Sequence, residues 1–62
     1  MQVTVKGSWL KACGKGTEDR ALDVIREEPT RAAKGSGFDV MYHVWCDGAP
    51  WVVAKCRLVG EV

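Results

Sequence analysis

Sixty-two residues make one small domain, residues 1–62, and leave no room for a second. A 47% apolar and 27% charged composition argues for a folded chain over a disordered one, and a net charge of +1 gives no global attraction to nucleic acid. No apolar run is long enough to cross a membrane, and the alternating N-terminal residues do not form a secretory signal core.

Residues 2–6 alternate, with Val3 and Val5 on one side and Gln2, Thr4 and Lys6 on the other, which predicts a half-buried strand. The pattern allows continuation through Trp9 and Leu10 with a kink at Gly7; a tight hairpin at Lys6-Gly7-Ser8 is the alternative, without an Asn-Gly or Asp-Gly signal to support it. Cys13-Gly14-Lys15-Gly16 reads as a loop. Thr17 then suits a helix N-cap, with Glu18 and Asp19 in the first turn, where carboxylates are favoured. The pattern predicts a helix over 18–28: Ala21, Leu22 and Ile25 share one face, with Val24 at its margin, and Pro29 stops the run.

Gly35-Ser36-Gly37 leads into a predicted hairpin. On its first strand Phe38, Val40, Tyr42, Val44 and Cys46 alternate with Asp39, Met41, His43 and Trp45. After a loop at Asp47-Gly48-Ala49-Pro50, Val52, Ala54, Cys56 and Leu58 alternate with Trp51, Val53, Lys55, Arg57 and Val59. An odd-length loop sets Trp45 opposite Trp51 and Val44 opposite Val52, so the apolar rows merge on one side. The same register pairs Asp39 with Arg57. The fold expected is therefore α+β, in the order β-α-β-β. One helix packs on one face of a three-stranded, mainly antiparallel sheet, against Phe38, Val40, Tyr42, Val44, Val52, Ala54, Cys56 and Leu58.

Groups able to do chemistry are sparse. Gly14-Lys15-Gly16-Thr17 lacks the spacing of a phosphate-binding loop, because Gly16 separates Lys15 from Thr17. His43 and Cys46 point to opposite faces of a strand, which opposes both a zinc site and a cysteine–histidine pair. Cys13, Cys46 and Cys56 are an odd set without a C-x-x-C pair, so free thiols and a reducing, cytoplasmic setting are expected. No catalytic residue, cofactor or metal is assigned, and the chain is read as a non-enzymatic binding module.

A single helix covers one sheet face. The other would carry Met41, His43, Trp45, Trp51, Val53, Lys55 and Arg57, an aromatic patch with a basic rim, as the partner-binding surface. A second candidate surface is the acidic helix face at Asp19, Asp23 and Glu27. Residues 18–28 hold five carboxylates against Arg20 and Arg26, leaving the rest of the chain at +4. The partner expected is a larger host protein or complex. By size class alone, the chain resembles phage or mobile-element inhibitors and regulators such as anti-CRISPR proteins. A homodimer is one alternative. A small nucleic-acid-binding domain using the aromatic, basic sheet face is another, disfavoured by the neutral charge and acidic helix.

Overall fold

The computed structural model describes residues 1–60. Strand β1 (Gln2–Val5) is followed by a short helix α1 (Gly7–Ala12), then β2 (Arg20–Pro29), β3 (Val40–Cys46), β4 (Ala49–Ala54) and a 3₁₀ turn (Lys55–Arg57). The class is α+β, as expected, but the sheet has four strands, in the spatial order β1-β2-β3-β4, all neighbours antiparallel.

The first departure from expectation is at residues 18–28, which form most of β2 and its approach instead of a helix. Leu22 is buried and Val24 packs on the core from the same side, while Ala21 and Asp23 are exposed: a period of two. The local carboxylate and N-cap signals suit a helix, but β1 pairs with Arg20–Asp23 and β3 pairs with Val24–Pro29. Those two ladders satisfy the backbone and bury Leu22, and local propensity yields to them. Ile25 is the extra residue where the register slips between Val24 and Arg26, a β-bulge, and it is 41% exposed rather than core.

The helix lies earlier, over residues 7–12, where the sequence pattern allows strand continuation through Trp9 and Leu10. It buries Leu10 completely among Val5, Val44 and Val53. Its first N–H, at Gly7, has no local side-chain cap; it donates to Asp19 Oδ1 at 2.7 Å from the approach to β2. A carboxylate at that position also meets the positive end of the helix.

The hairpin register differs as well. Asp47 and Gly48 both take positive φ, 53° and 79°, and form a two-residue turn between paired Cys46 and Ala49. This is the twist-matched turn that Asp-Gly favours. Pro50 is therefore inside β4, opposite Trp45. With Cys46 and Ala49 flanking a two-residue turn, the next pair is the non-hydrogen-bonded one, so Pro50 forfeits no bond to β3. Val44 stands opposite Trp51, Tyr42 opposite Val53 and His43 opposite Val52. The expected Trp45–Trp51 and Val44–Val52 pairs are replaced.

The core consequently exchanges members. Tyr42, Val44, Ala54 and Leu58 are buried as expected, Cys46 joins them, and Val40 and Cys56 are half-buried. Phe38 and Val52 are exposed, while Val53, assigned to the outer face, is buried. The 3₁₀ turn replaces the end of the expected second hairpin strand and brings Leu58 into an antiparallel bridge with Val5. Lys6 N–H donates to Arg57 C=O at 2.8 Å, and Val59 N–H donates to Thr4 C=O at 2.7 Å. The outer edge of β1 is thus covered by the chain's own last turn, which removes an open edge from the sheet.

This packing makes a direct prediction. Leu10→Ala should destabilise the domain by about 2–5 kcal/mol through lost transfer energy and a cavity. Ile25→Ala should change stability by no more than about 0.5 kcal/mol, as exposed positions do. Chemical denaturation of both variants checks it. A large loss at Ile25 with little at Leu10 would restore a helix over 18–28.

Candidate interaction surfaces

The seven residues expected to form one binding face are divided by the observed register. Met41, His43 and Trp45 remain together on the outer face of β3. Trp51, paired with inward-facing Val44, is half-buried against the core, and Val53 is only 1% exposed. Lys55 and Arg57 leave the sheet altogether and lie in the 3₁₀ turn. The even-length turn moves Trp51 and Val53 inward, and the end of β4 at Ala54 takes Lys55 and Arg57 out of the sheet.

Residues directly opposite each other in a ladder share a face. Trp45 therefore stands beside Pro50, and His43 beside Val52 on one flank and Arg26 on the other. Trp45 is 48% exposed and Val52 43%. Ile25, the unpaired residue of the bulge beside the His43 position, is exposed as well. Pro50 and Val52 are the members that sequence reasoning missed. The Asp47-Gly48 dipeptide carried the signal for both, since it dictates the turn length.

Polar groups border this patch. His43 Nε2 lies 2.7 Å from Glu28 Oε1, and Arg26 Nη1 approaches Glu28 Oε2 at 3.9 Å. The hydrogen bond from His43, then the charge of Arg26, holds the Glu28 carboxyl below the usual carboxylate range. At the turn, both Asp47 carboxylate oxygens accept from the Arg20 guanidinium, at 2.5 and 3.3 Å. That pairing lowers the Asp47 pKa and raises that of Arg20. It also ties the start of β2 to the β3–β4 turn.

The acidic second surface does not form as expected, because its carboxylates are no longer on a helix. Asp19 is occupied by the Gly7 N–H, Asp23 accepts from Gln2 Nε2 at 3.0 Å, and Glu27 is exposed opposite Tyr42.

On the other side of the molecule, aromatic rings are covered by cations. The Arg57 guanidinium lies 4.0 Å from the Trp9 ring centroid and 6.0 Å from that of Phe38. The Lys15 ammonium sits 5.2 Å over Trp51. Trp51 is thus engaged by Lys15 and the core, not by Trp45.

Among the described residues, no group of three or more His, Cys, Asp or Glu side chains is placed to hold a metal ion. His43 and Cys46 occupy opposite faces, one half-buried and outward, the other buried. The three cysteines are free: Cys13 exposed, Cys56 half-buried, and Cys46 buried with its thiol 3.8 Å from Asp47 Oδ2. No helix among the described residues is long and apolar enough to cross a membrane. Compared with known proteins, the chain matches no family model, no curated protein and no solved structure.

Both depressed carboxyls titrate lower in the folded chain than in the unfolded one. Their stabilisation is therefore complete above the ordinary carboxylate range, near pH 4, and is lost as pH falls through the lower folded values. Urea denaturation between about pH 5 and pH 2 should show stability declining with acid, and Glu28→Gln should flatten that decline. An acid limb of unchanged slope in the variant would show that the His43–Glu28 contact does not persist in solution.

Proposed function

We propose that this chain is a non-enzymatic protein-binding module, a small inhibitor or regulator that docks on a larger protein through the outer face of β2–β4. The observation that carries the reading is Trp45. A tryptophan nearly half exposed on rigid, centrally placed strand β3 has cross-strand apolar neighbours in Pro50 and Val52. Exposed apolar patches on small domains mark contact sites, and tryptophan is among the residue types that dominate binding energy. The sheet holds Trp45 between paired neighbours, so little of its contact surface has to be ordered on binding.

The border fits the same role. Glu28, Arg26 and His43 form a polar edge that already satisfies itself in the free protein. Such an edge guides orientation and rate of association more than it adds affinity.

Affinity capture from host lysate with wild-type and Trp45→Ala baits, quantified by mass spectrometry, tests the proposal. Trp45 is exposed enough for the variant to fold, which a thermal melt verifies. A true partner should be captured by wild type and depleted with the variant, the loss corresponding to at least about 2 kcal/mol if Trp45 is the anchor. Equal capture by both baits would place the contact elsewhere. Sedimentation of both proteins covers the homodimer: a wild-type dimer that becomes monomeric on Trp45→Ala would make this face a self-interface.

A further inference from the structure

We infer that the surface formed by α1, the 3₁₀ turn and Phe38 binds single-stranded nucleic acid, with Arg57 on a phosphate and Phe38 under a base. This site lies apart from the Trp45 face and does not rest on the protein-binding reading.

Arg57 carries the argument. Its guanidinium is fixed by two rings, Trp9 at 4.0 Å and Phe38 at 6.0 Å. The backbone around it is also pinned: Arg57 C=O accepts from Lys6 N–H, and Cys56 N–H donates to Gly37 C=O at 2.9 Å, one residue before Phe38. Yet among the described residues this guanidinium takes part in no ion pair and no side-chain hydrogen bond. The rings hold the group in place, and its N–H donors have no partner among the described residues. A planar fork of donors oriented in advance matches a phosphate.

Lysines neighbour it along the chain and are unpaired among the described residues. Lys6 and Lys11 flank or lie on α1, and Lys55 is in the same turn as Arg57; none of them forms an ion pair among the described residues. Among the described residues, Asp19 is held by the Gly7 N–H, Asp39, next to Phe38, accepts from the Gly35 N–H at 3.3 Å, and Glu18 meets Gly7 through its backbone.

Phe38 decides which anion. It is 48% exposed, so its ring is available beside the guanidinium. A free phosphate would use Arg57 alone, and a polyanion without bases would use the cations and ignore the ring. A single strand uses both, placing a base on the aromatic and its phosphate on the cation. Duplex is disfavoured, because α1 has only six residues and cannot fill a major groove.

The test is fluorescence anisotropy with a labelled oligothymidylate of about 15 nucleotides, at about 50 and 200 mM salt. Wild type should bind, with log K falling against log salt at a slope of about −2 to −3, as for three or four phosphates. Phe38→Ala should weaken binding about 5- to 100-fold at unchanged slope, by loss of one base stack. Lys6→Gln should make the slope shallower by about 0.7. Both positions are exposed, so folding is expected and is checked by circular dichroism. No binding at the lower salt overturns the inference. So does a Phe38→Ala protein that binds as wild type and is displaced equally by inorganic polyphosphate, which would mark a plain polyanion patch.

Discussion

The approach of two backbones at Gly7 is the constraint on which the rest of the structure depends. A Cβ placed there would lie 2.7 Å from the Thr17 carbonyl oxygen and 2.8 Å from the Glu18 Cα. Backbone atoms cannot yield as a flexible side chain can, so only glycine fits. That contact lets β1 turn directly into α1, lets Asp19 reach the first N–H of the helix, and aligns Arg20 opposite Val5. On the opposite side of the same junction, Lys6 N–H holds the Arg57 carbonyl. One short stretch thereby fixes the helix, the first ladder and the return of the C-terminal turn.

Closure of the sheet then sorts the side chains into two surfaces. With α1 filling one side through Leu10, the opposite side of β3 and β4 is left to solvent, and Trp45, Pro50 and Val52 occupy it. The 3₁₀ turn takes Lys55 and Arg57 off that face and lays Arg57 against Trp9 of α1. Apolar and basic residues that alternate along one stretch of sequence are thus separated in space. The Trp45 surface suits a desolvated protein contact; the Arg57 surface suits an anion. Their separation is a product of the turn at Asp47-Gly48 and the end of β4 at Ala54.

Parts of this were legible in the sequence. The alternation of β1 and β3 is strong and both strands form, because their inward residues are β-branched or aromatic. The parity separation of His43 from Cys46 also follows from β3 alone. β2 was not legible: Leu22 and Val24 give only one repeat of a two-residue period before the bulge at Ile25 interrupts it. The charged run Arg26-Glu27-Glu28 pairs with β3 while staying exposed, so it leaves no apolar pattern to read. The hairpin differs for another reason. Aligning its two apolar rows requires an odd-length loop, whereas Asp47-Gly48 dictates a two-residue turn and an outer strand tolerates Pro50. The even turn puts Trp51 and Val53 on the inner face and Val52 on the outer one.

The register that creates both surfaces is open to one direct measurement, a two-dimensional nuclear Overhauser spectrum of the labelled protein. Non-hydrogen-bonded antiparallel pairs bring α-carbons to about 4.5 Å, close enough for a strong contact between α-protons. The account predicts such a contact between His43 and Val52, together with extended-chain rather than helical sequential contacts through residues 20–24. An α-proton contact between Trp45 and Trp51, or a continuous run of amide–amide contacts from residue 18 to residue 28, would contradict it.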